Sequence, residues 1–466
     1  MPNEFQSGDR PTSVRWNQAP FDPADAKSAL AELPQSPAVF ALYGADSHAE
    51  PYIGRTPNLR YRLERLLRPS AKHPRRLHLA GLVRRIEWQL TGSEFESLLL
   101  QFELLQDQYG TKCLERMHLR HPAFVRFLGN NPYPRVTVTH RPSLREADWA
   151  YGPFPSRAAA ERFAEEMLKL FLLRRCTFEL APDPSYPGCV YSEMKMCLAP
   201  CFKGCTDERY DEESAAVERF LATRGESRLV TLRTGRDQAS ADLAFESAAS
   251  LHAQVQRVDS VRALAAEIVR PLSQLRALMI QASADLDEVA VFLFDNGRLR
   301  GPAAFSTLGM RIQNEQSGST SLFAQPLAIE AIPEQTEIRD QRPQSERGQE
   351  QGTETGESNA PESKSEALEL HAPAAHKLAR GVLESRLDAA LADLSTPAGT
   401  PSSTIRQGHL ALLKRWYYRP EAKRAGEIFF PDAENHWPVK AILRGIGRVA
   451  AKSLAPAANQ APTVNR

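Results

Sequence analysis

No run of apolar residues in this 466-residue chain approaches the ~18 that span a bilayer. The opening residues are polar and lack the apolar stretch of a secretory signal. The expected compartment is therefore the cytoplasm, away from any membrane. Cysteine is scarce, six in all, yet five of the six fall between Cys176 and Cys205. In a reducing compartment such clustering points to metal ligation more than to disulfides. Charge of one sign is missing as well: the net charge is +1, so the overall balance names no partner. The stretch from Pro333 to Glu366 has no aromatic residue and only Ile338 and Ala360 as apolar ones. It cannot bury enough apolar surface to offset chain entropy, so residues 332–366 are expected to form a disordered linker.

What is present is length enough for two or three domains plus linkers, and a hydrophobic content of 42% that supports a sizeable core. Charge is concentrated locally. Between Arg55 and Arg85 there are ten basic residues and one acidic residue, Glu64. Such a block suits a polyanion, because each cation placed near a phosphate releases a condensed counterion. A solvated basic helix face has the same composition.

After a flexible lead-in at 1–33, the pattern becomes regular. Residues 38–43 and 51–54 read as two strands of a hairpin. Thr56 followed by Pro57 marks a helix start, and Leu59, Leu63, Leu66 and Leu67 give that helix one apolar face opposite an arginine-rich one. Residues 84–90 alternate, with Ile86, Trp88 and Leu90 on one side, and Ser93 can cap the next helix. The order β-β-α-β-α over 34–110 predicts a small sheet with helices against it, and an α+β fold class overall. Further along, the pattern predicts a strand at 133–141, a helix at 157–173, helical sequence over 211–276, and a hairpin at 288–301 around Asn296-Gly297. A truncated hairpin region spans 276–331. A helical segment at 367–466 has a basic-aromatic centre, Lys414 to Arg419, which either contacts nucleic acid or packs as an ordinary helix.

Hydrolysis of a phosphodiester needs an activated water, charge neutralisation at the phosphoryl oxygens and help for the leaving oxygen. The N-terminal unit offers a tyrosine at a strand end (Tyr52), an arginine one helix later (Arg62), and a carboxylate at the start of the next helix (Glu96). Each also has a plain structural role available. Tyr52 can be a core aromatic, Arg62 part of a solvated face, and Glu96, three residues after Ser93, one half of a capping box.

The runs Tyr52-Ile-Gly54, Asn58-Leu-Arg-Tyr-Arg-Leu63 and Glu96-Ser-Leu-Leu-Leu100 resemble the GIY-YIG nuclease module of bacterial excinucleases of the UvrC type. The resemblance implies that Tyr52 activates water, Arg62 holds the scissile phosphate, and Glu96 binds one divalent ion, Mg or Mn. It implies that Arg55, Arg60 and Arg65 contact double-stranded damaged DNA. Three positions depart from the pattern. Ala38-Val39-Phe40 stands for the usual Gly-Ile/Val-Tyr, Leu66 for a tyrosine, and Glu103 for an asparagine. An alternative reading is therefore a non-catalytic protein that binds DNA and UvrB through a degenerate module.

Cys176, Cys189, Cys197 and Cys201 could hold zinc or an iron–sulfur cluster, and their spacing does not choose between them. The surrounding words, Tyr151-Gly-Pro-Phe-Pro155 and Cys197-Leu-Ala-Pro-Cys201, resemble the UvrC middle region (here 111–225), which implies a 4Fe–4S cluster with zinc as the alternative. Cys113 reads as a small buried side chain. Within 226–275, Phe245, Glu246, Ala248 and Ala249 match the UVR motif, a helical hairpin that binds UvrB, with UvrA acting upstream. His252-Ala253 replaces its usual Arg-Asp. Residues 285–301 look like the opening hairpin of the RNase H-type nuclease that makes the 5′ cut, but no later acidic strand follows. The chain is thus expected to make only the 3′ incision, similar to the shorter homologue Cho. Gly445-Ile-Gly447 resembles one turn of a helix-hairpin-helix.

Overall fold

The computed structural model describes residues 16–46, 49–68, 79–142, 150–308, 310, 372–396 and 399–454. The linker expected at 332–366 lies outside them, as do Lys72, Arg75 and Arg76 of the basic block. The chain divides into two compact units. One comprises Met1–Thr307 together with Arg386–Arg466, and the other Leu308–Ser385. In the second unit the described residues are Leu308, Met310 and the helical stretch 372–385.

The fold mixes helix and sheet, as the α+β expectation requires. The first sheet has the order β1-β4-β2-β3, every pair antiparallel. Its strands are β1 (Asn17–Pro20), β2 (Ala38–Gly44), β3 (Tyr52–Thr56) and β4 (Val83–Leu90). A short helix α1 (Ala26–Ala31) precedes β2. The flexible lead-in expected at 1–33 is thus corrected from residue 17 onward. Asn17–Pro20 pairs with β4, and Phe21, Leu30 and Leu33 are buried; three apolar side chains spaced through a polar stretch suffice to anchor it.

Helix α2 (Leu59–Leu67) lays Leu59, Leu63, Leu66 and Leu67 against Phe40, Leu42 and Ile86. Its N-cap is Asn58, whose side chain accepts from the Tyr61 N–H, not Thr56 as the Thr-Pro pair suggested. Thr56 is the last residue of β3, and its hydroxyl bonds both the N–H and the C=O of Asn58. Helix α3 (Glu94–Tyr109) starts where expected, with Ser93 accepting from Glu96 N–H.

Next come the short α4 (Cys113–Arg116) and a second sheet, ordered β6-β5-β7-β8. Its strands are β5 (Ala123–Phe127), β6 (Val136–Thr139), β7 (Ala150–Phe154) and β8 (Arg270–Pro271). Helix α5 (Arg157–Leu168) follows β7, and α6 (Val190–Glu193) interrupts the cysteine segment. Helix α7 (Asp207–Ala222) leads into an antiparallel hairpin of α8 (Glu226–Ala241) and α9 (Phe245–Arg262).

Residues 276–331 hold more than a truncated hairpin. β9 (Ala277–Ala282), β10 (Glu288–Asp295) and β11 (Arg298–Ser306) form a meander. Asn296 and Gly297, both at positive φ, make the tight turn that Asn-Gly predicts. The C-terminal region then returns. After α10 (Ala372–Leu394) and α11 (Ser403–Tyr417), β12 (Glu427–Phe429) adds to β9, giving the order β11-β10-β9-β12. Helix α12 (Val439–Leu454) runs unbroken through Gly445 and Gly447, so no helix-hairpin-helix turn forms there. A Cβ on Gly445 would stand 2.5 Å from the Phe429 ring, which is why a small residue sits at that crossing. One core joins Phe95 and Phe102 of α3, Phe124 of β5, Phe292 of β10 and Trp416 of α11.

Candidate functional site: an edge strand, a thiol cluster and a helical hairpin

β3 is the edge strand of its sheet, and successive side chains point to opposite faces. Tyr52 packs on the α2 side, and Ile53 packs into the main core beneath α3. On the first face the structure brings Tyr52 and Arg62 together. An Arg62 Nη2–H donates to the Tyr52 hydroxyl at 3.2 Å. Phe40 fills the place behind them, its ring 6.1 Å from that of Tyr52. A Cβ on Gly54 would lie 2.8 Å from that phenyl ring, so glycine is what lets Phe40 pass under the strand. Arg60 is committed to the fold, donating from Nε to the Leu33 carbonyl at 2.7 Å. Arg65 is exposed, with its guanidinium 5.6 Å from the centre of the Tyr61 ring.

Glu96 is placed differently. Its carboxylate accepts from the Gly92 N–H at 2.8 Å, and the residue is 8% exposed. Burial pushes its pKa up to about 7, against the pull of the Gly92 and Ser93 N–H groups. The loop ahead of α3 is pressed on β9: a Cβ on Gly92 would lie 2.0 Å from the Ser283 carbonyl carbon. Glu96 therefore lines a cavity of about 770 Å³ shared with Asp285, Glu288, Arg386 and Asp393, whose lining does not include Tyr52 or Arg62. Glu96 thus bonds the backbone just ahead of its own helix, while Tyr52 and Arg62 bond each other on the α2 side of β3. Among the described residues no group of three or more His, Cys, Asp or Glu is gathered closely enough to hold a metal ion. A hard divalent ion needs only one or two carboxylates when water and phosphate complete its shell, so Glu96 alone fits that mode.

No local pattern announced what lies on the other face of β3. Arg419, just beyond α11, makes a two-bonded fork with Glu94, both distances 2.8 Å. Arg55 reaches the same carboxylate at 3.6 Å. The chain separation of 325 residues hid this cluster from sequence reasoning.

The cysteine segment is built around Arg174, which is 1% exposed. It donates to the Tyr133 and Phe178 carbonyls and points Nη1 at the Cys176 sulfur, 3.7 Å away. Cys189 precedes α6, bonded through Ser192, and Cys201 O accepts from Asp183 N–H. Cys197 and Cys201 have raised pKa values, first through burial and then through neighbouring thiols; for Cys197 those are Cys189, Cys201 and Cys176. The four thiols thus share one neighbourhood, though not the tight set of a single tetrahedral ion. Cys205 lies nearby and Cys113 is fully buried in the core.

The α8–α9 hairpin packs its base on the core through Leu229, Leu232, Val255, Val258 and Val261. At its tip Leu243 is 71% and Phe245 66% exposed, and Glu246 and Ala249 are exposed beside them. The Trp416–Tyr418 rings are turned inward instead. Trp416 donates to the Ala425 carbonyl and sits edge-on to Phe95, and Tyr418 donates to the Pro153 carbonyl. These rings are packing groups, not a stacking platform. No helix among the described residues is long and apolar enough to cross a membrane.

Residues 124–220 match the family model of the UvrC/Cho excinuclease middle domain. The UvrABC system protein C of Pseudomonas protegens is 28% identical over 277 residues, 59% of this chain and 43% of that protein. That of Haemophilus ducreyi is 28% identical over 283 residues, 60% of this chain and 45% of its own. That of Francisella tularensis subsp. holarctica is 28% identical over 274 residues, 58% and 42% respectively. The chain spans less than half the length of these curated relatives. No solved structure matches it significantly. With five of its six cysteines inside the matched middle domain and likeness running over about 60% of its length, the chain is similar to excinucleases of the UvrC type.

Proposed function

We propose that this protein is a DNA endonuclease of nucleotide excision repair that makes a metal-dependent incision 3′ to a lesion, through a GIY-YIG-type module at 34–110. The observation that carries the reading is the Arg62–Tyr52 hydrogen bond on an edge strand, next to a middle domain of UvrC kind. Tyr52 would orient the attacking water, as or beside its general base. Arg62 braces the scissile phosphate, with Arg65 on the same helix and Arg55 on the far face of β3 as further backbone contacts; guanidinium groups suit that task because they bind phosphate oxygens in pairs. A divalent ion, Mg or Mn, would stabilise the leaving oxygen, and Glu96 is the residue to hold it. In this reading the chain makes the 3′ cut alone and lacks the RNase H-type activity that makes the 5′ cut.

The exposed tip at Phe245, Glu246 and Ala249 is the surface offered to UvrB, with UvrA upstream and damaged duplex DNA as substrate. The thiols of Cys176, Cys189, Cys197 and Cys201 would hold an iron–sulfur cluster, as the likeness to the UvrC middle domain suggests, with zinc as the alternative. A cluster there would hold the middle domain's shape without redox turnover. A cytoplasmic location belongs to the same reading.

A second reading has its own support. Glu96 is largely buried and bonded to Gly92, and Phe40 carries no hydroxyl where the family has one. A protein that binds DNA and UvrB without cutting is consistent with both. Incision of an end-labelled duplex with one bulky lesion separates the two readings. UvrA, UvrB and magnesium are supplied, and wild type is run beside Glu96→Ala. A single 3′-side nick that needs UvrB and disappears in the variant is the expected result. Intact DNA binding with no nick under any divalent ion would leave the non-catalytic reading.

A further inference from the structure

Arg55, Arg415 and Arg419 surround one carboxylate, Glu94, at the start of α3. Arg419 holds it with a fork of two 2.8 Å bonds, and Arg55 stands 3.6 Å away. Arg415, exposed on the last turn of α11, acts on both Arg55 and Glu94. Three guanidinium groups act on this one carboxylate, an excess of two positive charges among the described residues here. Side-chain exposures of 33% for Arg55 and 27% for Arg419 keep this excess at the surface rather than in the core. The cluster also has a cost in the free protein. Arg55 is held below its ordinary value first by burial, and then, against the pull of Glu94, by repulsion from Arg415 and Arg419. Surface ion pairs stabilise little on their own, so stability does not account for assembling three cations here. A bound anion would relieve the repulsion.

The place matters as much as the charge. Arg55 lies on β3, the edge strand whose opposite face carries Tyr52 and Arg62. A duplex lying along that edge would meet Arg62 on one side and the three-arginine cluster on the other. We propose that Arg415 and Arg419 of the C-terminal region form, with Arg55, a second phosphate clamp that grips the DNA backbone beside the incision module. This rests on the endonuclease reading for its substrate and extends it. The C-terminal region becomes part of the DNA-binding face, through cations and not through its aromatic residues.

The test is binding of a fluorescent ~30-base-pair duplex by the full-length protein across a potassium chloride series, with Arg415→Ala/Arg419→Ala beside wild type. Each lost phosphate contact removes about 0.9 from the slope of log affinity against log salt. The double variant is expected to bind at least ~10-fold more weakly near physiological salt, with a slope shallower by about 2. Arg415→Lys/Arg419→Lys, which keeps both charges and gives up the fork, should restore the slope. Loss of affinity in both variants with an unchanged slope would mean a folding role and would overturn the clamp. So would an alanine variant that binds as wild type does. If wild type binds and nicks DNA while the alanine variant shows no change, only the clamp falls. If wild type fails to bind DNA at all, the endonuclease reading falls with it.

Discussion

His409 illustrates how one buried group sets a pH dependence. It is 2% exposed, accepts from the Leu299 N–H through Nδ1 at 2.9 Å, and lies edge-on to Phe102. Burial, aided by Arg298, drives its pKa from 6.5 down to about 3. The folded ring therefore stays neutral while the unfolded chain takes up a proton below about pH 6.5. Stability from this residue is complete above that pH and is lost as the pH falls toward 3. Between pH 7 and pH 5 the loss is about 2 kcal/mol. Glu96 and Glu103, both raised to about 7 by burial, oppose it by favouring the protonated folded state in acid. Denaturant unfolding of wild type and His409→Gln at the two pH values isolates the histidine, since the carboxyls are common to both. The gap between the proteins should narrow by about 2 kcal/mol at pH 5; a gap independent of pH would contradict the assignment.

At the scale of elements, the segment from Leu172 to Cys205 has little regular structure and is held by single hydrogen bonds. Examples are Leu198 N–H to the Leu172 carbonyl and Asp183 N–H to the Cys201 carbonyl. Such a segment gains most from a cross-link at its centre. Anaerobically purified protein is expected to show the broad visible absorbance of an iron–sulfur cluster, and Cys197→Ser to lose both the colour and several degrees of Tm. A colourless protein with stoichiometric zinc would replace the cluster by zinc. A metal-free protein whose Tm is unaffected by the substitution would remove the metal altogether. The spacing of these cysteines was legible from the sequence. Arg174, the buried cation around which the segment is organised, was not, because its partner at Tyr133 lies 41 residues away along the chain.

For the whole molecule, the decisive fact is that the C-terminal region belongs to the same compact unit as the N-terminal half. Trp416 is 4% exposed, in the same core as Phe95, Phe102 and Phe292. Its replacement by alanine should cost about 3–5 kcal/mol and lower a single melting transition monitored through the whole chain. A separate early transition, with the N-terminal part melting as before, would show instead that the C-terminal region folds as its own module. The same integration places Arg419 on Glu94, and β12 beside β9.

The sequence by itself determined the local elements around β3. The leucine spacing of α2, the Ser93 cap of α3, the Asn296-Gly297 turn and the clustered cysteines are each written within a few neighbouring residues. Local sterics and hydrogen bonding act at that range. Only the tertiary structure decided that Tyr52 and Arg62 meet while Glu96 turns to Gly92, that the aromatic centre of α11 is buried, and that Arg55 shares Glu94 with Arg419. Those outcomes depend on which surfaces are covered and on contacts between residues as much as 325 positions apart, and no periodicity or spacing in a single chain encodes them in readable form.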